Sequence, residues 1–441
     1  MLLLDPASVW RVATAWRPAT RVAFRLCATY FGIYVLTTQM LTSLLVLPFE
    51  MPNLGERAPV RTVVSWVAVR LFGVDRPLVI TGSGSGDKTF DWVHAFTVLV
   101  LSVVITAMWS VLDRRRANYA GAHRWVRLFL RFALGSTMVG YGMVKAIPLQ
   151  MPAPGLTRLL EPFGNFSPMG VLWYSIGASR PYEIFAGCAE LAGGILLLIP
   201  QTATLGALIC LADTIQIFTL NMTYDIPVKL FSFHLILMSL YLLAPDARRL
   251  LNVLVLNRAA EPSTLLPVGR TDRARRLAVA LQIVFGLYLV GMNLYGARQS
   301  WTQYGGGAPK SPLYGIWNIE TMSIRGETRS PLVTDDDRFR RVIFDRPTGV
   351  AFQRMNDTFA TYGARIDMAA KTLTVMRGGA PGPATEPVGT FSFEQPSTDR
   401  LLLKGEMEGR AVHIEGRLID RNSFLLVNRG FHWIQEYPFN R

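Results

Sequence analysis

The sequence predicts a polytopic α-helical membrane protein of about seven transmembrane helices, N-terminus in and C-terminus out. A C-terminal antiparallel β-barrel or β-sandwich domain is expected to follow. Three observations carry that prediction. Half of the 441 residues are hydrophobic and only 17% are charged, where a soluble chain would carry about a quarter; mean hydropathy is +0.27. Apolar runs of membrane-spanning length recur up to residue 296. After Gly305-Gly306-Gly307 the pattern changes to short alternating runs separated by turn residues.

The apolar runs cover 22–47, 90–112, 126–147, 181–199, 203–221, 227–244 and 277–296, each close to the ~20 residues that cross a bilayer. Pro181, Pro200, Pro227 and Pro245 bound the fourth and sixth runs, as prolines do at helix edges. The first run starts near Val22 without a small-residue cleavage site, so it is expected to remain as a transmembrane helix. The net charge of +14 reflects arginines between the runs: Arg114, Arg115 and Arg116, then Arg248 and Arg249, then Arg270, Arg273, Arg275 and Arg276. This is the positive-inside pattern, and it places 1–21, 113–125 and 245–276 inside. No interleaved basic and aromatic surface accompanies these clusters, which argues against nucleic acid and for the lipid bilayer as partner.

Four segments follow: 1–125, two helices with an outer loop; 126–260, a four-helix core; 261–307, an inside loop, the seventh helix and a linker; 308–441, an extracytoplasmic all-β domain. Residues 57–72 mix arginines with apolar residues at helical spacing and predict a helix lying at the interface. Residues 148–180 hold five prolines and an apolar run too short to span, which suits a lid or an ordered loop over the bundle. Residues 81–88, TGSGSGDK, read as a flexible turn; without a preceding strand or a GK[ST] ending they are no phosphate loop. In the β domain the runs at 316–324, 340–345, 349–355, 364–368, 372–376, 389–394, 400–419, 424–428 and 431–439 predict eight or nine strands. EMEGRAVHIEG reads as a hairpin turning at Glu408-Gly409. His413, His432 and Trp433 are placed on strands, where aromatic residues are usually core.

Three neighbouring runs each carry an ionisable residue near mid-span: Glu190, Asp213 and His234. Hydrocarbon penalises such groups by several kcal/mol, so each is a functional-site hypothesis. Glu190 lies ~14 Å from the outer start of its helix, Asp213 ~15 Å from the inner end of the next, and His234 ~11 Å from the outer face. The short loops 200–202 and 222–226 keep these helices together. The expectation is a polar, outward-open cavity with Glu190, Asp213 and His234 as catalytic candidates. Lys145, Glu183, Gln216, Asn221, Tyr224, Asp225 and Lys229 are ligand-binding candidates, with Asp91 and His94 at its rim. Structural roles compete: hydrogen-bonding glue between helices for the carboxylates, a satisfied core histidine, a local Asp225–Lys229 pair, and a snorkelling Lys145. The glycines of AGCAELAGG suit close helix packing.

Cys27, Cys188 and Cys210 fall inside apolar runs and form no C-x-x-C, so buried, inert thiols are expected. The triad lacks E-x-x-H or H-x-x-x-H spacing, so no metal is expected. No G-x-S-x-G elbow supports a serine hydrolase.

From about Val126 to Ala260, YGMVKAIPLQMP, EPFGNFSPMGVLW, YEIFAGCAELAGGILLLIPQTATLGAL and NMTYDIPVKLFSFHLILMSLYLLAPDARRL resemble the DoxX-like bacterial membrane proteins. The resemblance implies a four-helix bundle in the bacterial cytoplasmic (inner) membrane and a quinone-linked or redox-accessory role. This chain adds two preceding helices, a seventh helix and the outer β domain, and it has no cysteine pair for thiol chemistry. The function expected first is binding of a lipophilic small molecule, a quinone being the first candidate. Glu190 and Asp213 would exchange protons, His234 would hydrogen-bond the ligand carbonyl, and Lys145 or Lys229 would set the potential. Redox chemistry would need a redox partner protein, since no haem, flavin or iron–sulfur motif is present. The alternatives are a non-enzymatic anchor whose β domain binds a ligand or partner, and a proton-coupled transporter.

Overall fold

A computed structural model describes residues 15–47, 49, 51, 53–263, 268–269, 271–378 and 386–440. Arg270 of the third arginine cluster lies outside the described residues. The chain forms two compact units: a helical unit of residues 1–147 and 181–299, and a β unit of residues 148–180 and 300–441.

The helical unit opens with α1 (Pro18–Thr37) and α2 (Gln39–Leu44), separated by a break at Thr38. Proline at the first turn starts α1 without losing a helical hydrogen bond. At the break Thr37 and Thr38 turn their hydroxyls onto the carbonyls of Ile33 and Tyr34, at 2.7 and 2.8 Å, supplying donors the interrupted backbone no longer provides. The next helix, α3 (Val60–Phe72), ends on Gly73 with φ 64°, a left-handed cap. It buries Val64 and Ala68 against Phe90 and Val93 while leaving Val63, Trp66, Val69 and Phe72 exposed. The exposed face is thus largely apolar, with Arg61 and Arg70 exposed among these residues.

Then come α4 (Thr89–Leu112) and α5 (Ala120–Ala146). Another helix, α6 (Pro168–Gly177), belongs to the β unit and is capped by Ser167, whose hydroxyl accepts from the Gly170 amide at 3.1 Å. The helical unit resumes with α7 (Arg180–Leu198), α8 (Ala203–Thr223), α9 (Lys229–Leu243), α10 (Ala247–Leu254) and α11 (Asp272–Gln303). Helices stand at all seven predicted positions. Five stretches are long and apolar enough to cross a membrane: α4, α7, α8, α9 running on into α10, and α11. The other two differ for visible reasons: the first is broken at Thr38, and α5 carries Arg124, Arg127, Arg131 and Lys145.

Glycine sets how closely α5 and α7 approach. A Cβ at Gly187 would stand 2.2 Å from the Ala146 nitrogen and 2.7 Å from the Gly142 oxygen; one at Gly194 would stand 2.9 Å from the Gly135 oxygen. Gly142 and Gly135 of α5 thus face Gly187 and Gly194 of α7, two turns apart on each helix. Small residues at such a stripe allow backbone contact in a membrane bundle. The Gly206 position on α8 is equally close to α7, 2.5 Å from the Leu197 nitrogen.

In the β unit the strands are β1 (Gly315–Ile324), β2 (Glu327–Thr328), β3 (Phe339–Phe344), β4 (Gly349–Arg354), β5 (Phe359–Asp367), β6 (Thr372–Met376), β7 (Pro387–Ser397), β8 (Arg400–Met407) and β9 (Arg410–Ile419). All pairings are antiparallel, and β9 returns to β1, Ile316 facing Ile419 and Ile324 facing Val412. With the two-residue β2 a mere extension of β1, this closes an eight-stranded barrel, resolving the sequence's barrel-or-sandwich alternative. Alternate residues of each strand fill its interior, among them Trp317, Phe344, Phe352, Leu373, Phe391 and Leu403. The β8–β9 hairpin pairs Met407 with Arg410 across Glu408 (φ 53°) and Gly409 (φ 73°), two left-handed residues as a tight two-residue turn requires.

Three expectations are corrected. Residues 148–180 pack with the barrel: Leu156 joins Ile316, Ile343 and Ala351 in one cluster, and its amide donates to Asp345 at 3.1 Å. The runs at 424–428 and 431–439 are not strands; the first is a short helix, α12 (Leu425–Asn428), and the second has no regular structure. Once β9 pairs with β1 the barrel has no free edge for another strand. Trp433 accordingly is 90% exposed, and His432 is exposed with it. Among the cysteines, Cys210 is buried and Cys27 half-buried, but Cys188 is exposed on α7.

Candidate functional site

The glycine contact between α5 and α7 brings Lys145 beside Glu190. The Lys145 ammonium donates to both carboxylate oxygens at 2.7 and 2.8 Å, with side-chain exposures of 8% and 5%. Asp213 on α8 lies within electrostatic reach of both. Its Oδ2 is buried and has no hydrogen bond among the described residues. Glu183, two turns before Glu190, is wholly buried.

His234 stands in a different network. Its Nδ1 is 2.7 Å from the Leu230 carbonyl and its Nε2 2.6 Å from the Tyr30 hydroxyl. A carbonyl only accepts, so Nδ1 carries the proton and Nε2 accepts from tyrosine. The ring also stacks on Tyr34 at 3.9 Å and 3°. Both nitrogens and one face are occupied by the protein itself, the arrangement of a satisfied core histidine.

The remaining predicted residues, Gln216 apart, cap or cross-link helices. Asn221 donates to Ser232 at 3.0 Å. Lys229 pairs with Asp225 at 2.9 Å, and its ammonium lies 3.9 Å from Asp87. Tyr224 caps α8 by backbone alone, and Gln216 is exposed on that helix. The 81–88 turn proves tightly attached. Asp87 accepts from the Lys229 and Leu230 amides at 2.8 and 2.9 Å, capping α9, and the Gly86 amide donates to Pro227 at 2.8 Å.

A polar cavity of about 480 Å³ does open in the helical unit, at the end where α1 and α5 finish and α4 and α9 begin. Its walls are the Thr38 break with Gln39, the 53–56 turn, the 80–88 turn, Asp91 and His94 of α4, and Tyr141 of α5. The Gln39 side chain donates to the Tyr141 hydroxyl at 3.2 Å. Asp91 accepts from the Lys88 amide and pairs with its ammonium, both at 3.0 Å. His94 is 5% exposed, and its Nε2 is buried with no hydrogen-bond partner among the described residues. Gly55 allows the 53–56 turn to pass beside it: a Cβ there would be 2.2 Å from the Thr37 oxygen and 3.6 Å from His94 Nε2. Tyr141 connects cavity and ion pair, since the Lys145 ammonium lies 5.8 Å from its ring centre.

A 136-residue stretch of the sequence is 32% identical to the uncharacterized protein YwoB of Bacillus subtilis strain 168, covering 78% of YwoB and 29% of this chain. The chain belongs to the YwoB family. No family model and no solved structure matches it. The match spans most of YwoB but under a third of this YwoB-family chain, so most of the chain lies beyond the shared part.

Sequence reading located Asp91 and His94 at the cavity, but it missed Gln39, Glu56, Tyr141 and the GSGSG turn. A usable signal was present: Thr37-Thr38-Gln39 interrupts an apolar run with three polar residues, and non-helical backbone at membrane depth is tolerated only where protein or a cavity satisfies it. Among the described residues, no group of three His, Cys, Asp or Glu side chains is gathered tightly enough to hold a metal ion.

Proposed function

We propose that this chain is an integral membrane protein, DoxX-like in its central bundle, that binds a small amphipathic molecule in the His94 cavity. A quinone headgroup is the first ligand to test. The carrying observation is His94 Nε2, a buried nitrogen without a hydrogen-bond partner among the described residues, on the wall of a polar cavity. A buried polar atom left unmatched costs about 1–3 kcal/mol, and a ligand carbonyl or hydroxyl supplies the missing partner. Phe90, Leu230 and Phe231 give the same cavity an apolar wall, as headgroup sites require. In this reading Tyr141 and Gln39 hydrogen-bond the ligand. Glu56 and Asp91 exchange protons near it, and Lys145–Glu190 acts behind Tyr141 by setting the local field. His234 orders α1 against α9. Arginine convergence at the opposite end of the bundle supports the N-in, C-out orientation with seven spans.

Mass spectrometry of small molecules co-purifying with the detergent-solubilised protein tests this, comparing wild type with His94→Phe. A quinone or other defined lipophile present in wild type and lost in the folded variant is expected. Equal retention in both would overturn the assignment.

A second reading, a membrane anchor that recruits a partner, is favoured by the exposed aromatics Phe431, Trp433 and Tyr437 at 76%, 90% and 85% exposure. Deleting residues 429–441 would abolish partner capture on that reading and leave ligand retention unchanged on the first.

A further inference from the structure

The exposed residues of α8 gather on one face of the helix. Leu205, Ala212 and Thr219 recur every seven residues down its middle, with Ile215 and Met222 on one side and Gln216 on the other. Leu205, Ile215 and Met222 are 52%, 47% and 55% exposed. A seven-residue recurrence keeps one stripe turned toward a neighbouring helix along a left-handed crossing, the geometry of coiled coils and of most membrane bundles.

An apolar stripe alone would sit in lipid without a partner, but Gln216 does not belong there. α8 has 21 residues, ~32 Å of helix, close to the ~30 Å of a hydrocarbon core. Gln216 precedes the last residue, Thr223, by seven positions and so stands ~10 Å inside that end. Its side chain is exposed and makes no hydrogen bond among the described residues. Thr219 differs, returning its hydroxyl to the Ile215 carbonyl at 2.9 Å. The carboxamide carries two donor hydrogens and an acceptor oxygen, and hydrocarbon satisfies none of them. Polar groups at such depth face protein or a water-filled cavity rather than lipid. One turn away, Asp213 at the midpoint of α8 is half-buried, and its Oδ2 is buried without a hydrogen bond among the described residues.

What covers this face follows from depth and from hydrogen-bond complementarity. Two copies of one chain share an orientation in the membrane, so their α8 helices meet in parallel and each residue stands level with its counterpart. The two Gln216 carboxamides then come together at one depth. Being donor and acceptor at once, a carboxamide is its own complement, as an interface between identical faces requires. An unrelated partner would need a polar residue at that same depth; a second copy supplies it from its own sequence. A single polar residue on an otherwise apolar seam also fixes the register of the pair.

We propose that the exposed face of α8 is an interface at which two copies of this chain pair in the membrane, the Gln216 side chains hydrogen-bonding across a two-fold axis normal to the bilayer. The inference rests on α8 spanning the membrane and is independent of any ligand in the His94 cavity.

The test uses full-length protein labelled at its N-terminal amine with donor or acceptor dye. The two preparations are co-reconstituted in phosphatidylcholine liposomes, floated on a density gradient, and energy transfer is followed as the protein-to-lipid ratio falls. Wild type is expected to float and to keep saturable transfer on dilution. Gln216→Leu should weaken pairing about three- to fifteenfold, the range of interhelical hydrogen bonds in membranes, and Gln216→Asn, which keeps the carboxamide, should recover part of it. Ala212→Phe, which fills the middle of the stripe, should weaken pairing at least as much. Phe185→Ala, on the exposed side of α7, should leave transfer unchanged. Floated wild type with no transfer beyond random proximity would overturn the proposal, as would undiminished transfer in Gln216→Leu and Ala212→Phe variants of wild-type melting behaviour. Stoichiometric capture of a different membrane protein from native membranes, lost in Gln216→Leu, would overturn the choice of a second copy. A chain that fails to float would overturn the spanning of α8 on which the proposal rests.

Discussion

Lys145 and Glu190 meet head-on inside the bundle, the ammonium within 2.8 Å of both carboxylate oxygens, because glycines at 142 and 187 let their helices touch. The pair satisfies the charge of each member where neither reaches water easily. Removing one partner strands the other, which costs far more than the pair contributes. Glu190→Gln is therefore expected to destabilise the helical unit by about 3–5 kcal/mol, with the double exchange Lys145→Glu/Glu190→Lys recovering part of it. Thermal unfolding in detergent checks this, and an unchanged midpoint for Glu190→Gln would contradict it.

The glycine contact makes a steric prediction. Gly187→Val places side-chain carbons against the Ala146 and Gly142 backbone, which cannot yield as a flexible side chain would. A loss of at least about 1–3 kcal/mol follows from overpacking. The control is Gly32→Ala on α1, where a Cβ meets nothing within 4 Å; it should leave folding yield unchanged.

Asp87 fastens the cavity's 80–88 turn to the start of α9 through two backbone amides. Its replacement by Ala should cost about 0.5–2 kcal/mol, as loss of a helix cap does. Faster hydrogen exchange confined to 80–90 and 226–232 would confirm that both segments depend on this carboxylate; exchange unchanged there would refute it.

In the barrel, hydrogen bonding to Arg410 and the nearby Arg329 hold the Asp337 carboxyl below its ordinary range. A carboxyl whose value is depressed by folding adds stability above its unfolded pKa, and that stability is lost as pH falls through the folded value. The 335–341 and 408–412 segments should therefore exchange amide hydrogens faster, relative to the rest of the barrel, as pH drops below about 4. Arg410→Ala should remove that extra acid sensitivity. Because Asp337 is 41% exposed at its side chain, the effect is local.

What the sequence revealed depended on whether a feature was periodic or tertiary. Helices stand where the apolar runs predicted them, and the Glu408-Gly409 turn was visible because only left-handed residues close so short a hairpin. Glu190 and Asp213 were legible as neighbours from loop lengths and depth. His234 was placed at the right level but on the wrong network, because depth says nothing about the direction a helix face points. Tyr30 and Tyr34, one turn apart on α1, claim its ring. Asp91 and His94 were legible at the cavity, but its other walls were missed because they come from turns and helix ends far apart in sequence. The final aromatic run looked like a strand because composition cannot reveal that β9 has already closed on β1.

The central claim is that His94, not His234, meets a ligand. Full-length protein labelled with 15N-histidine has only five such residues, so each ring is separable by NMR with single variants. On titration with decyl-ubiquinone, the His94 Nε2 resonance is predicted to shift saturably, while His234, with both nitrogens already engaged, stays in place. Saturable binding that leaves His94 unmoved, or moves His234 instead, would contradict the account.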